Sequence, residues 1–232
     1  MRRWPPNWPR AGYSRWGPVR CWRSPQRPER PVAEAGRVVT GSAKGVRLLA
    51  PGPGTRPLSD RIKQALFGTL EVALAPAWPV AFLDLFAGSG AAGIEALSRG
   101  APRTVFVERD PEAARVIAEN LRRAGLSRGH LVRRDVLTVL AEGVAALDGP
   151  FGAVLVDPPY AERKALLATL ARLGDLQLGW IGADAIVVAK HPWRDDPPER
   201  AGQLILERRK RFGETGLSYY RPDKSPEATV AR

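Results

Sequence analysis

The sequence predicts an α/β fold, a doubly wound and mostly parallel sheet of seven strands, and three observations carry that expectation. Short apolar runs alternate with helix-length amphipathic segments between Val80 and Lys190, the pattern of strands covered by helices on both faces. A glycine-rich turn, "FAGSGAAG", follows the first of those runs, where a strand passes into a helix. Acidic residues stand at or near the ends of four successive runs: Asp84, Glu108, Asp135 and Asp157. In a doubly wound sheet such positions converge on one rim, where ligands sit.

The elements follow in order. Residues 1–36 carry eight arginines, and the first 31 hold seven prolines and four of the seven tryptophans, with no lysine and no apolar periodicity. This composition predicts a disordered basic tail, with tryptophan and arginine stacking on RNA as the functional alternative. Residues 37–50 alternate weakly around a turn from Gly41 to Gly45, which predicts a β-hairpin from which Arg37, Lys44 and Arg47 project. "PGPGTRPLSD" then breaks regular structure and delivers Ser59 or Asp60 as the cap of a helix whose Ile62, Leu66, Phe67 and Leu70 share one face. Hairpin and helix together form a small basic appendage over residues 37–75.

The main domain is expected over residues 76–222. Strands are expected at "VAFLDLF", "TVFVE", "HLVRRD", "GAVLVD" and "AIVVAK", with helices at 91–99, 111–124, 136–147 and 161–173 between them. "QLILERRKRFG" and "TGLSYYRP" read as an antiparallel hairpin closing the sheet edge. Residues 223–232 are expected to be a flexible terminus.

Composition narrows the function. A chain of 232 residues, 44% hydrophobic, can bury one α/β core and a small appendage. One cysteine, Cys21, and two widely separated histidines, His130 and His191, leave no disulfide framework and no Cys/His metal set, so a metal-free cytoplasmic protein is expected. There is no run of 18 apolar residues and no apolar core behind the basic N-terminus, so no membrane association is expected. The net charge of +12 points to a polyanionic partner.

Gly88, Gly90 and Gly93 spell G-x-G-x-x-G, and Glu108 follows the first by 20 positions, which is the letter of a dinucleotide fingerprint. Asp84 argues against a pyrophosphate beside that loop, since like charges repel. A cationic adenosine cofactor, S-adenosyl-L-methionine, suits the acid-lined rim better. Glu108 would take its ribose diol and Asp135 its adenine amino group, while the glycines let the backbone approach the methionine part. Phe86, ahead of the glycines, is assigned to the same cofactor with Asp84.

The strongest signal is "DPPY", Asp157 to Tyr160. Two consecutive prolines fix an extended backbone and donate no hydrogen bonds, which leaves the Asp157 carboxylate and the Pro158 carbonyl as acceptors. That pair can grip both hydrogens of an aromatic amino group and free its nitrogen lone pair for attack, with Tyr160 as a stacking face. Lys190 and His191, ending "VVAKH", read as solvated residues at a strand end, with RNA phosphate contact as the alternative.

Taken together, "RVVTGSAKGVRLLAPGPGTRPLSDRIKQALFGTLE", "LDLFAGSGAAGIEALSRGA", "VFVERD" and "VLVDPPY" resemble the bacterial 16S ribosomal RNA guanine-N2 methyltransferase family across about residues 37–220. The resemblance implies a Rossmann-like methyltransferase fold and methylation of one guanine N2 in 16S ribosomal RNA or the small ribosomal subunit, by a monomer. It also implies that Gly88, Gly90, Glu108 and Asp135 hold the cofactor, that Asp157, Pro158 and Tyr160 hold the guanine, and that an acid precedes His191 where this chain has Lys190. RNA docking is expected on Arg37, Lys44, Arg47 and Arg56. The alternatives are a DNA adenine-N6 methyltransferase, a dinucleotide-dependent oxidoreductase and a catalytically silent RNA-binding module.

Overall fold

The computed structural model describes residues 34–52 and 58–225. The proposed tail up to residue 33, Arg56 and residues 226–232 lie outside the described residues.

The first strand, β1 (Glu34–Arg37), pairs antiparallel with β2 (Arg47–Leu49), so the hairpin starts three residues ahead of the expected boundary. Its turn is anchored by buried polar groups from a helix of the main domain, α2 (Ala91–Ser98). The Glu95 carboxylate accepts the backbone N–H groups of Val39 and Thr40 at 2.7 and 3.0 Å, and Ser98 Oγ accepts that of Ala43 at 2.9 Å. Glu95 is fully buried, and these amides, with Arg99 Nε at 2.8 Å, compensate the charge that burial would otherwise penalise. The helix α1 (Asp60–Ala73) is capped by Ser59, whose side chain accepts from the Ile62 N–H, and it buries Ile62, Leu66, Phe67 and Leu70 as the periodicity predicts. Lys63 is buried on the same helix, with its ammonium on the Arg37 carbonyl and on Asp60.

In the main sheet β3 (Phe82–Leu85), β4 (Thr104–Val107), β5 (Gly129–Val132), β6 (Phe151–Val156) and β7 (Ile181–Pro192) run parallel. The last three strands, β8 (Arg200–Ala201), β9 (Leu204–Phe212) and β10 (Thr215–Pro222), run antiparallel. The order is β5-β4-β3-β6-β7-β10-β9-β8. The expected hairpin therefore closes the edge by inserting β10 between β7 and β9. An eighth strand corrects the expected seven: β8 is a two-residue edge strand with no pattern of its own. The other helices are α3 (Pro111–Ala124), α4 (Val136–Ala141) and α5 (Arg163–Leu173). The helix expected over 136–147 ends early, because Gly143 takes φ 77° and the chain continues as a 3-10 turn, Val144–Leu147.

Alternate residues of the central strands face opposite sides. Phe82, Leu155, Ile186 and Val188 pack with α1, α2 and α3, whereas Leu83, Leu85, Val154 and Val187 pack with α4 and α5. This two-sided burial explains why the strands read as unbroken apolar runs. Among the described residues no helix is long and apolar enough to cross a membrane.

Candidate active site

The carboxyl ends of β3, β4, β6 and β7 open into a cavity of about 650 Å³, a size that admits a nucleoside-sized ligand. Its floor begins where β3 ends. Phe86 (φ 60°), Gly88 (φ 55°) and Gly90 (φ 75°) carry the chain through a left-handed path into α2, which glycine adopts without the steric cost that Phe86 bears. Gly93 serves a different purpose: a Cβ there would stand 2.2 Å from the Phe106 ring, so only glycine lets α2 lie this close to β4.

Two amides of this turn are held by acids. The Gly88 N–H donates to Glu108 Oε2 at 2.8 Å, and the Gly93 N–H donates to Asp84 Oδ2 at 2.8 Å. Amides that a phosphate-binding loop would aim at its ligand are thus already bonded to carboxylates. Asp84 is buried, and burial pushes its carboxyl well above the usual range, with the charges of Asp157 and Glu108 adding to the rise. Glu108 also accepts the Asp110 N–H through Oε1 at 2.9 Å. Asp135 lines the cavity and caps α4, its Oδ1 accepting from Leu137 and Thr138 at 2.9 and 3.1 Å. Arg109, which the sequence reading did not single out, lies 3.7 Å from Asp135 Oδ2 and 2.7 Å from Glu162, and also lines the cavity.

On the opposite wall stand Asp157, Pro158 and Tyr160. The Tyr160 hydroxyl shares a 2.8 Å hydrogen bond with Thr215 Oγ1 of β10, which fixes the ring. Lys190 Nζ donates to Asp157 Oδ1 at 2.7 Å. The Asp157 side chain keeps 22% of its exposure and that of Lys190 only 8%. Burial raises the Asp157 carboxyl above its ordinary value, and Lys190 opposes that rise.

Lys190 and His191 correct the expectation of a solvated strand end, since both are buried. The reason is the length of β7, which runs on to Pro192 and is paired along Val187–Pro192 by β10. His191 bonds Ser218 Oγ through Nε2 at 2.8 Å, and burial lowers its pKa, which favours the neutral ring. A signal for Lys190 lay in the sequence. "AVLVD" and "IVVAK" align in parallel register, with Val156 opposite Ala189, so Asp157, one residue past β6, stands beside Lys190 of β7.

Of the other expected residues, Asp84, Phe86, Gly88, Glu108 and Asp135 line the cavity, whereas Gly90 shapes the turn without lining it. Pro51 and Leu58, from the segment after the hairpin, complete the wall. Arg37, Lys44 and Arg47 are exposed on the hairpin outside the cavity. Arg37 pairs with Asp60 at 3.0 Å and Arg47 with Glu34 at 2.9 Å. Lys44 lies in the turn held by Ser98, at the end of α2 remote from the cavity.

A family model described as conserved hypothetical protein 95 matches residues 36–221. YlbH of Bacillus subtilis is 36% identical over 186 residues, 80% of this chain and 98% of that protein. Ribosomal RNA small subunit methyltransferase D of Escherichia coli is 30% identical over 193 residues, 83% of this chain and 92% of the relative. A solved protein of Thermus thermophilus superposes with a TM-score of 0.67 at 36% identity, covering 79% of this chain and 97% of its own.

Proposed function

The chain belongs to the conserved hypothetical protein 95 family, and from that membership we propose that it moves a methyl group from S-adenosyl-L-methionine to the exocyclic N2 of a guanine in 16S ribosomal RNA. The observation that carries the reading is the pairing, in one cavity, of an acid-held glycine turn with the Asp157-Pro158-Pro159-Tyr160 wall. A relative that spans most of this chain is a small-subunit ribosomal RNA methyltransferase by name, which supports ribosomal RNA as the substrate.

The residues present fit the donor. Glu108, Asp135 and Asp157 give the cavity an acidic lining that attracts a sulfonium and an ammonium and repels a pyrophosphate. Glu108 would receive the ribose hydroxyls and Asp135 the adenine amino group, with the Gly88 turn against the methionine part. When bound, the donor supplies an electrophilic methyl group on sulfur.

The protein's own part is positioning. Tyr160, braced by Thr215, offers one face of the guanine a surface to stack on. The Asp157 carboxylate and the Pro158 carbonyl accept the two N2 hydrogens, which turns the nitrogen lone pair out of the ring plane toward the methyl group. As the N–C bond forms and the S–C bond breaks, positive charge grows on N2, and the adjacent carboxylate stabilises it. The proton then leaves N2 for Asp157 or for water. Substrate contact outside the cavity is assigned to Arg37, Lys44 and Arg47 on the hairpin, and the active species is a monomer.

The test is incubation with labelled donor and free ribosomal RNA, small subunits or DNA, followed by identification of the modified nucleoside. The expected product is N2-methylguanosine in 16S RNA. N6-methyladenosine would overturn the reading.

A further inference from the structure

Asp157 does not meet the cavity alone. Lys190 Nζ is 2.7 Å from its Oδ1 and 5.1 Å from the centroid of the Tyr160 ring, and all three side chains line the cavity. An ammonium carries three N–H donors, and Asp157 takes one of them. A lysine sunk to 8% side-chain exposure gains little hydration for the others, which makes a polar ligand in the cavity a favourable acceptor.

The order of these groups has chemical content. From Asp157 Oδ2 through Oδ1 to Lys190 Nζ, the wall reads acceptor, acceptor, donor. The Watson–Crick edge of guanine reads donor, donor, acceptor through N2–H, N1–H and O6. Adenine placed with its amino group at Oδ2 would set the lone pair of N1 against Oδ1 and a C–H against the ammonium. Cytosine placed the same way would satisfy the ammonium through O2 but would set the N3 lone pair against Oδ1.

We infer that Lys190 is a specificity-determining residue, which with Asp157 reads the Watson–Crick edge of guanine by donating to O6 while the carboxylate accepts N1–H and one N2–H. The inference rests on the guanine-N2 reading above and deepens it. The second N2 hydrogen remains for the Pro158 carbonyl, and the stacked ring leaves its other face to the methyl group. Selection of guanine then comes from the same wall that aligns the amine, because any base lacking the N1–H and O6 pair leaves buried groups unmatched.

The experiment uses the full chain and small subunits carrying, at the modified position, either guanine or 2,6-diaminopurine, which keeps the N2 amine but replaces O6 with an amino group and lacks the N1 hydrogen. Wild-type protein should favour guanine, and Lys190→Met should lower kcat/KM for guanine roughly 10²-fold. Diaminopurine should be affected far less, so the preference narrows at least tenfold. Lys190→Arg should restore most of that preference. Unchanged donor affinity by calorimetry, in all three proteins, separates lost recognition from misfolding. A guanine preference that survives Lys190→Met intact overturns this inference alone. A wild-type protein that methylates adenine N6 instead overturns both it and the guanine-N2 reading.

Discussion

Asp157 and Glu108 sit on opposite walls of one cavity, and their neighbours give them separable tasks. Asp157 holds Lys190 and lines the cavity with Tyr160, so Asp157→Ala should keep donor affinity and lower methyl transfer at saturating donor by roughly 10² to 10³, as removal of one preorganised electrostatic partner does. Single-turnover rates check this, and full activity would remove Asp157 from the mechanism. Glu108 instead holds the Gly88 amide, and Glu108→Ala should weaken donor binding about tenfold or more, as calorimetry would read. Only the carboxylate form of Asp157 accepts the amine. Because burial raises its pKa while Lys190 lowers it, the acid limb of kcat/KM should lie above the ordinary carboxylate range, and activity should fall as pH drops through it. Removing Lys190 should move that limb further up, and a limb that moves down or stays fixed would contradict the electrostatic coupling. The acids at the strand ends were legible because an acid closing an apolar run is conspicuous. The burial of Lys190 was not, because a lysine at a strand end is ordinarily exposed, and it depends on β10, whose Leu217 pairs with Lys190 from 27 positions further along the chain.

The element that joins sequence pattern to site geometry most directly is α2. Eight residues long and wholly buried, it touches the cavity at its N-terminal end and the hairpin turn at its C-terminal end, where Glu95 and Ser98 hold Val39, Thr40 and Ala43. Its closeness to β4 depends on Gly93, since an added Cβ would meet Phe106 at 2.2 Å and Thr104 at 2.7 Å. Gly93→Ala should therefore push the helix off the sheet at a cost of about 1–3 kcal/mol, lowering Tm by about 2–4 °C for each kcal/mol, and should weaken donor binding because the Gly88 turn moves with the helix. Thermal melts and calorimetry on the same variant check both, and an unchanged Tm would show that Phe106 yields freely. The glycine spacing made this turn readable, yet it named the wrong class of ligand when read alone. The bonds of Gly88 and Gly93 to carboxylates separate the two readings, and such bonds are tertiary facts. The end of the helix before Gly143 and the two-residue β8 escaped the sequence for a simpler reason. The first rests on one glycine taking φ 77°, and the second on edge pairing with β9, neither of which leaves an apolar period.

At the scale of the whole molecule, the hairpin bridges two helices: its turn is held by Ser98 at the end of α2 remote from the cavity, and Leu49 of β2 bonds Asn120 of α3 through both its backbone groups, just ahead of Pro51, which lines the cavity with Leu58. The turn and the cavity stand at the two ends of α2, a length of about 12 Å, which puts the exposed cations of the hairpin within reach of phosphates flanking a target base that enters the cavity. Arg37 and Arg47 hold Asp60 and Glu34 with side chains 65% and 75% exposed. Exposed pairs contribute about 0–1 kcal/mol, so a phosphate can replace either carboxylate at small cost. Neutralising Arg37, Lys44 and Arg47 together should lower the slope of log affinity against log salt by about two to three and reduce methylation of small subunits steeply at physiological salt, with donor affinity unchanged. Deleting residues 1–31 should leave methylation nearly intact, because the docking charge is assigned to the hairpin and not to the tryptophan- and arginine-rich segment ahead of it. Salt titrations of binding and methylation on the two variants decide between these assignments. If the truncation abolishes activity while the triple variant methylates small subunits normally, the segment before the hairpin is the RNA arm and the hairpin cations carry no docking.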